Sequence, residues 1–157
     1  EDSMTEKALS ILDLAEQKNT KIHLPVDVVC AKEFKEGAES KIFAIDSISD
    51  EYEGLDSGPK SLEKFKKIIM SSKTILWNGP VGVFELESFS KGTQEIGTAI
   101  AESTKSGAFS LVGGGDSVAA VKKFKLENEV SYVSTGGGAM LESLEGKILP
   151  GIGALKK

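Results

Sequence analysis

The chain has 157 residues and a formal net charge of −5, with 19 lysines against 24 acidic residues. This length favours a single domain with a sizeable core, and the acidic balance argues against a nucleic-acid surface. The apolar runs are far shorter than the ~20 residues needed to span a bilayer, so we expect a chain that binds neither nucleic acid nor membrane. We also expect a monomer.

The first elements are a helix and two strands. Residues 3–18 have the periodicity of an amphipathic helix. The mixed apolar runs at 22–31 and 41–48 are typical of strands, and Pro25 predicts an irregular start for the first of them.

A turn, a helix and a short strand come next. The segment GLDSGP (54–59) has turn chemistry, and Pro59 suits the first turn of a helix that we predict through about residue 71. TILW (74–77) is wholly apolar and is expected to form a strand.

Beyond residue 78 the same reasoning predicts alternating helices and strands. They are a helix at 89–104, a strand at 108–114, a helix from about 116 to 124, a strand at 130–134 and a final helix after residue 138.

This alternation indicates the fold class. Short apolar strands that alternate with longer helices favour parallel strands joined by helical crossovers. Near-continuous apolar runs indicate strands that are covered on both faces. We therefore predict an α/β fold, a doubly wound (Rossmann-like) parallel sheet with helices on both faces.

Three successive strand ends carry glycine-rich loops: NGPVG (78–82), GGGDS (113–117) and GGG (136–138). Ligands of open α/β sheets bind beyond the carboxyl ends of the strands. Glycines before a helix expose the amides of its first turn, where the helix dipole favours an anion. Two such loops favour a phosphate site, although tight turns alone would also use glycine. The dinucleotide and P-loop fingerprints are both absent from the sequence.

Polar side chains beside the loops suggest a cation and a nucleoside. Asp116 follows the glycines directly, and Mg²⁺ typically binds through one carboxylate plus phosphates; a simple helix N-cap is the alternative. The hydroxyl of Ser117 could reach phosphate or metal. A carboxylate at Glu85, just past a hydrophobic loop, can accept hydrogen bonds from both ribose hydroxyls, with a solvated charge as the alternative.

Other conspicuous residues have simpler interpretations. Because the chain has no Arg, phosphate would have to be held by amides, hydroxyls, lysines or a metal. Lys122, Lys123 and Lys125 are expected on a solvated helix face. His23 is expected to be structural, since it has no partner at metal-ligand spacing. The single cysteine, Cys30, fits a reducing compartment, and we expect a cytoplasmic protein.

Three long motifs together resemble the C-terminal half of the phosphoglycerate kinase family. They are WNGPVGVFE (77–85), GGGDS (113–117) and VSTGGGAMLESLEGKILPG (133–151). The shorter LPVDVV (24–29) and GLDSGP (54–59) match the family in the same order. The resemblance covers essentially the whole chain, and Ser117, Tyr132 and Met140 stand where threonine, histidine and serine are common.

The resemblance implies that residues 1–157 are the C-terminal nucleotide-binding domain of a two-domain kinase. The N-terminal substrate domain and the start of this domain would then precede Glu1. In the family, a phosphoryl group passes reversibly from 1,3-bisphosphoglycerate to Mg-ADP, giving 3-phosphoglycerate and ATP in glycolysis. The implied partners are therefore these small molecules, Mg²⁺ and the missing N-terminal domain, and the chain alone is expected to be inactive.

The resemblance also implies roles for individual residues. Asp116 would hold the magnesium, and Glu85 would take the ribose hydroxyls. The other nucleotide contacts would come from Gly54, Asn78, Pro80, Gly114, Gly115 and Ser117. Gly136, Gly137 and Gly138 would be catalytic, since they would point the amides of the last helix at the transferred phosphoryl group.

Two alternatives stay open. One is a non-catalytic nucleotide- or anion-binding module of the same fold, which would need no metal. In the other, all three glycine-rich loops serve only as turns.

Overall fold

The computed structural model describes residues 2–155, in which three consecutive strands follow the first helix and strands then alternate with helices up to the last two helices. The helices are α1 (Thr5–Gln17), α2 (Pro59–Ser71), α3 (Lys91–Lys105), α4 (Gly115–Lys123), α5 (Gly137–Leu144) and α6 (Pro150–Leu155). The strands are β1 (Asp27–Ala31), β2 (Ser40–Ala44), β3 (Glu53–Ser57), β4 (Thr74–Trp77), β5 (Phe109–Val112) and β6 (Tyr132–Val133). Short 3-10 turns, Asp2–Met4 and Glu87–Phe89, precede α1 and α3.

The first three strands form an antiparallel sheet in the order β2-β1-β3. Only residues 32–39 connect β1 to β2, which is too short for the helical crossover of about a dozen or more residues that a parallel pair needs. These strands therefore differ from the parallel arrangement that we expected. Strand β1 also begins two residues after Pro25, whose nitrogen cannot donate to a sheet.

The predicted turn at 54–59 is wrong over most of its length, because Glu53–Ser57 forms strand β3. Leu55 is buried against Ala31 and Phe89, and this packing outweighs the turn preference of the glycine and aspartate around it. The turn is confined to Gly58, the N-cap of α2, and Pro59 takes the first helical position as predicted.

The last three strands form a parallel sheet in the order β4-β5-β6, with α3 and α4 in the crossover connections. The predicted α/β class, a parallel sheet flanked by helices, is confirmed, but among residues 2–155 the helices cover one face of the sheet and not both as predicted. The short β6 is paired with β5 at Leu111 to Tyr132 and at Val112 to Val133. All three strands run in one direction, so their carboxyl ends lie along one edge.

The main core lies between this parallel sheet and three helices. Trp77 and Val112 from the strands pack with Leu62 of α2, Ile100 of α3 and Val121 of α4. These five side chains are nearly or fully buried. The core thereby fixes the start of α4 relative to the end of β4, and so also the loops at 78–82 and 113–117.

The other sheet face and α1 are open within residues 2–155. Leu76, Phe109 and Tyr132 stand on the sheet face away from the core and are 45%, 52% and 59% exposed. Helix α1 has no buried residue in the part of the chain that the structure describes. No helix among these residues has the length and apolar character required to cross a membrane.

Candidate functional site: glycine-rich loops at one sheet edge

The sheet ladder continues up to the three glycine-rich loops. The amide of Gly113 donates to Trp77 O over 3.0 Å, and the amide of Ser134 donates to Val112 O over 2.8 Å. These bonds hold the ends of β4, β5 and β6 level with one another. The loops that follow therefore leave the sheet at the same edge.

Close contacts join the loops to one another. A Cβ atom built on Gly137 would lie 3.1 Å from the amide nitrogen of Gly114, and one built on Gly114 would overlap the side-chain oxygen of Asn78. The amide of Gly79 donates to Ser117 Oγ over 2.5 Å. The loops at 78–82, 113–117 and 136–138 meet, and the prediction that they share one rim is confirmed.

Two of these positions require glycine for conformational reasons. Gly114 has φ +90° and Gly79 has φ +114°, values that residues with a side chain adopt only with strain. The backbone at Gly114 turns sharply from β5 into α4, and Gly79 reverses the chain after β4. At these two positions glycine is required by the backbone conformation of the turn.

The starts of α4 and α5 present unpaired amides to this rim. Neither helix is capped by a side chain within residues 2–155, and the first helical bonds are donated by Val118 and Met140. The amides before them lack intrahelical partners. A Cβ atom on Gly115, Gly136 or Gly138 would meet nothing within 4 Å, so the space in front of both helix starts is open.

Asp116 is exposed in the first turn of α4, next to Gly115. No group of three or more His, Cys, Asp and Glu side chains in the described part of the chain could hold a metal ion. The rim therefore offers a cation one carboxylate and leaves the other ligands to come from elsewhere. That donor set suits an ion that arrives already bound to phosphate oxygens.

Ser117 is fully buried, unlike its neighbour. Its hydroxyl oxygen accepts the hydrogen bond from Gly79 and thereby ties the start of α4 to the loop after β4. This contact adds a structural role to the one predicted from sequence. Met140, where the resemblance expects a serine, packs its methyl end against Gly113.

Glu85 is exposed at the end of the loop that follows β4, and a lysine holds its backbone. Lys123 Nζ donates to Phe84 O over 2.5 Å and to Glu85 O over 3.3 Å. Lys123 is exposed, as predicted for a solvated helix face, but its ammonium also binds this loop, because the last turn of α4 lies beside it. Periodicity alone could not have identified this contact.

Gly54 and Pro80 lie together beside this rim, although Gly54 comes from the antiparallel sheet. Both line a cavity of about 280 Å³ between β1, β3 and the loop after β4. Apolar lining comes from Val28, Leu55 and Val83 among others. A side chain on Gly54 would press on Val28, since its Cβ would lie 2.9 Å from the Val28 methyl group.

The sequence analysis missed a buried carboxylate next to the rim. Asp56 accepts hydrogen bonds from the amides of Ser57 (2.8 Å) and Gly92 (2.7 Å), and Gly82 and Gly92 leave no room for a Cβ beside it. Burial raises the pKa of Asp56 despite these two bonds. The side chain joins β3 to the start of α3 and to the loop after β4. Its turn-like sequence context concealed it.

Asp27 is a second buried carboxylate that the sequence analysis did not single out. It accepts hydrogen bonds from the amides of Lys60 and Ser61 and from the Ser61 hydroxyl. Burial opposes its ionisation, but these bonds and the Lys60 charge outweigh that effect and lower the pKa of Asp27. Asp27 therefore fixes the start of α2 to β1.

The fold and loop geometry place the chain among α/β proteins that carry glycine-rich strand-to-helix turns at the carboxyl edge of a parallel sheet. A model of the family described as "Phosphoglycerate kinase" matches residues 1–147. The chain belongs to the phosphoglycerate kinase family.

Relatives of known name agree with this assignment. Proteins named phosphoglycerate kinase from Thermosipho africanus and Porphyromonas gingivalis are each 53% identical over 156 residues, which is 99% of this chain but 39% and 37% of the relatives. The chain thus spans less than two fifths of their length.

Solved structures give the same result. Phosphoglycerate kinase from Coxiella burnetii superposes with a TM-score of 0.93 at 45% identity, over 99% of this chain and 39% of the other. The enzyme from Pyrococcus horikoshii OT3 superposes with a TM-score of 0.76 at 34% identity, over 99% and 38%. The fold described above is therefore similar to one part of these structures.

Proposed function

We propose that this chain is the C-terminal nucleotide-binding domain of a phosphoglycerate kinase. The reaction is reversible phosphoryl transfer from 1,3-bisphosphoglycerate to Mg-ADP, which gives 3-phosphoglycerate and ATP in glycolysis. An N-terminal domain of the same polypeptide would hold the triose acid, so the 157 residues alone would not catalyse transfer. The single cysteine is compatible with a cytoplasmic location.

The observation that carries this proposal is the meeting of the three glycine-rich loops at one edge. The open amides of α4 and α5 face a shared space, and each helix dipole favours an anion there. We assign Gly114 and Gly115 to the nucleotide phosphates, whereas the buried Ser117 would support them by holding the loop after β4. We assign the amides at Gly136, Gly137 and Gly138 to the transferred phosphoryl group.

This arrangement suits the chemistry. Phosphoryl transfer needs positioning and charge stabilisation rather than a covalent intermediate on the protein. Amides that the fold already holds in place stabilise developing charge without reorganising during the step. Because Gly137 lies close to Gly114, the amides at the start of α4 and those at the start of α5 could bind the same ligand.

Asp116 would hold Mg²⁺, and the donor set described above fits that ion. A single exposed carboxylate beside a phosphate site would repel the ligand unless a cation lay between them. Mg²⁺ commonly uses one or two carboxylates together with substrate phosphates and water. When bound, it would neutralise phosphate charge. Asp116 would orient the nucleotide phosphates through it.

The nucleoside would lie along the loop after β4 toward the neighbouring cavity. Asn78, Pro80 and Gly54 would line its pocket, and Glu85 would accept hydrogen bonds from the ribose hydroxyls. On the side of the antiparallel sheet, Val28 and Leu55 line the cavity of about 280 Å³ together with polar residues that include Asp27 and Asp56. The apolar side chains suit a flat, apolar base.

Titration calorimetry of ADP with the 157-residue chain tests the proposal. We expect weak binding that strengthens when Mg²⁺ is added, and we expect Asp116→Ala to abolish the Mg²⁺ effect. Asp50→Ala, an exposed acidic residue away from the rim, is the matched control and should bind like the parent. Equal binding with and without Mg²⁺ would favour a non-catalytic anion-binding module. A folded chain that does not bind ADP would favour loops that serve only as turns.

A further inference from the structure

Lys123 makes contacts that distinguish it from the lysines beside it. Its Nζ donates to the carbonyl oxygens of two successive residues, Phe84 (2.5 Å) and Glu85 (3.3 Å). The same ammonium lies 6.0 Å from the centroid of the Phe84 ring, and Phe84 is only 5% exposed. Lys122 and Lys123 are both exposed, but Lys122 has no such hydrogen bond among the described residues.

These contacts lie at the far end of the helix that begins at the phosphate side of the rim. Ser117 in the first turn of α4 holds Gly79, and Lys123 in its last turn holds Phe84 and Glu85. The two residues are six positions apart, which is about 9 Å along a helix. Helix α4 therefore makes hydrogen bonds to both ends of the loop that follows β4.

The Glu85 side chain depends on this backbone anchor. It is exposed, and within residues 2–155 its carboxylate accepts no hydrogen bond from another group. Its position is therefore set by its main chain, whose carbonyl oxygen Lys123 binds. A charge-assisted hydrogen bond of this kind is stronger than a neutral one, so it can fix the position of this loop end.

We propose that Lys123 is a positioning residue that sets the distance between the ribose-binding carboxylate of Glu85 and the phosphate-binding start of α4. This inference rests on the proposed function for the role of Glu85. The anchoring of the loop by Lys123 does not depend on it. A nucleotide would span both ends of α4, so a loop that drifts at 84–85 would lose the ribose contact and keep the phosphate contacts.

The first experiment measures the anchor without nucleotide. Amide hydrogen exchange is compared among the 157-residue chain, Lys123→Met and Lys122→Met. We expect faster exchange over residues 83–86 in Lys123→Met and no change there in Lys122→Met. Lys123→Arg, which keeps the charge and several donors, should recover part of the protection. Parent-like exchange over 83–86 in Lys123→Met would overturn the proposal whether or not the chain binds nucleotide.

The second experiment measures ribose recognition. Dissociation constants for Mg-ADP and for the magnesium complex of 2′,3′-dideoxy-ADP are measured by NMR titration. The parent chain is expected to bind ADP more tightly than dideoxy-ADP. In Lys123→Met we expect the ratio of the two dissociation constants to fall by about fivefold to tenfold, as for loss of one charged hydrogen bond. Glu85→Gln should lower it similarly, and the double variant should lose little more. Lys122→Met should keep the parent preference.

The outcomes separate the two proposals. A purely structural role of Lys123 would weaken both nucleotides equally and leave their ratio unchanged, which contradicts the positioning role. If the parent shows the expected anchor but binds neither nucleotide, the proposed function fails and with it the link to ribose. A lowered ratio together with faster exchange at 83–86 supports the inference.

Discussion

Gly137, at the start of α5, lies directly against Gly114, at the start of α4. A Cβ atom on Gly137 would sit 3.1 Å from the Gly114 amide nitrogen and 3.2 Å from its Cα. Both partners are backbone atoms, so neither can rotate away as a side chain would. The absence of a side chain at Gly137 is what allows the two helix starts to face one space.

This contact predicts opposite effects for two neighbouring glycines. Gly137→Ala should destabilise the chain by about 1–3 kcal/mol, because the added methyl group forces the two turns apart. Gly138→Ala should be neutral or stabilising by up to ~1 kcal/mol, since its Cβ would meet open space and alanine favours a helix. Urea unfolding of both variants measures the difference. Equal stabilities would contradict the close approach.

A similar reversal is expected at Gly92 in the first turn of α3. Glycine to alanine within a helix is normally favourable, but a Cβ on Gly92 would lie 2.8 Å from the carboxyl carbon of Asp56. We expect Gly92→Ala to cost about 1–3 kcal/mol of unfolding free energy. Gly151→Ala in α6, where a Cβ meets nothing within 4 Å, is the control. Thermal unfolding of the two variants provides the measurement, and a more stable Gly92→Ala would refute the packing described here.

The lowered pKa of Asp27 predicts a pH-dependent contribution to stability. A carboxylate whose folded pKa is depressed stabilises the fold above its unfolded pKa of about 3.9, and this contribution is lost as the pH falls through the folded pKa. Asp27→Asn should cost about 1–3 kcal/mol at pH 7, because an amide cannot accept all three hydrogen bonds.

The difference between parent and Asp27→Asn should shrink as the pH falls below about 4. Denaturant unfolding from pH 7 to pH 3 measures it, with the exposed Asp50→Asn as control. A difference for Asp27→Asn that grows on acidification would contradict the assignment.

Asp56 affects the pH dependence of stability with the opposite sign, because burial raises its pKa. Its contribution to folding stability is present below its unfolded pKa and is lost as the pH rises through its folded pKa.

The chain by itself should not transfer a phosphoryl group. It has no Arg and spans 39% of the Thermosipho relative, and we place the triose-acid site in the remaining part. A coupled assay that follows ATP formation from 1,3-bisphosphoglycerate and Mg-ADP should show no turnover above background. Calorimetry with Mg-ADP on the same preparation controls for loss of fold. Normal turnover by the 157 residues would refute the division of roles.

Several features of the site followed from local sequence. The glycine-rich loops lie where strands end and helices begin, and Asp116 lies in the first turn of a helix. These features could be predicted because they depend on residues close together in the chain. The apolar runs at 74–77 and 108–114 likewise identified two strands of the parallel sheet. Such features need no knowledge of distant neighbours.

Other features had no such local signal. GLDSGP looked like a turn, yet its first four residues form an edge strand because Leu55 is buried against residues far away in the chain. Lys123 is exposed as expected, yet its ammonium is bound to carbonyl groups 38 and 39 positions away. Asp56 looked like a turn residue, yet it binds the start of α3.

The sequence by itself determined the α/β class, the family resemblance and the glycine-rich loops, because short-range periodicity and backbone freedom are encoded locally. Only the tertiary structure decided that β1, β2 and β3 form an antiparallel sheet, that Gly137 abuts Gly114 and that α4 grips the loop ending at Glu85. These depend on which surfaces pack together. Packing is a property of the whole chain, since each contact requires others to have placed its two partners within reach.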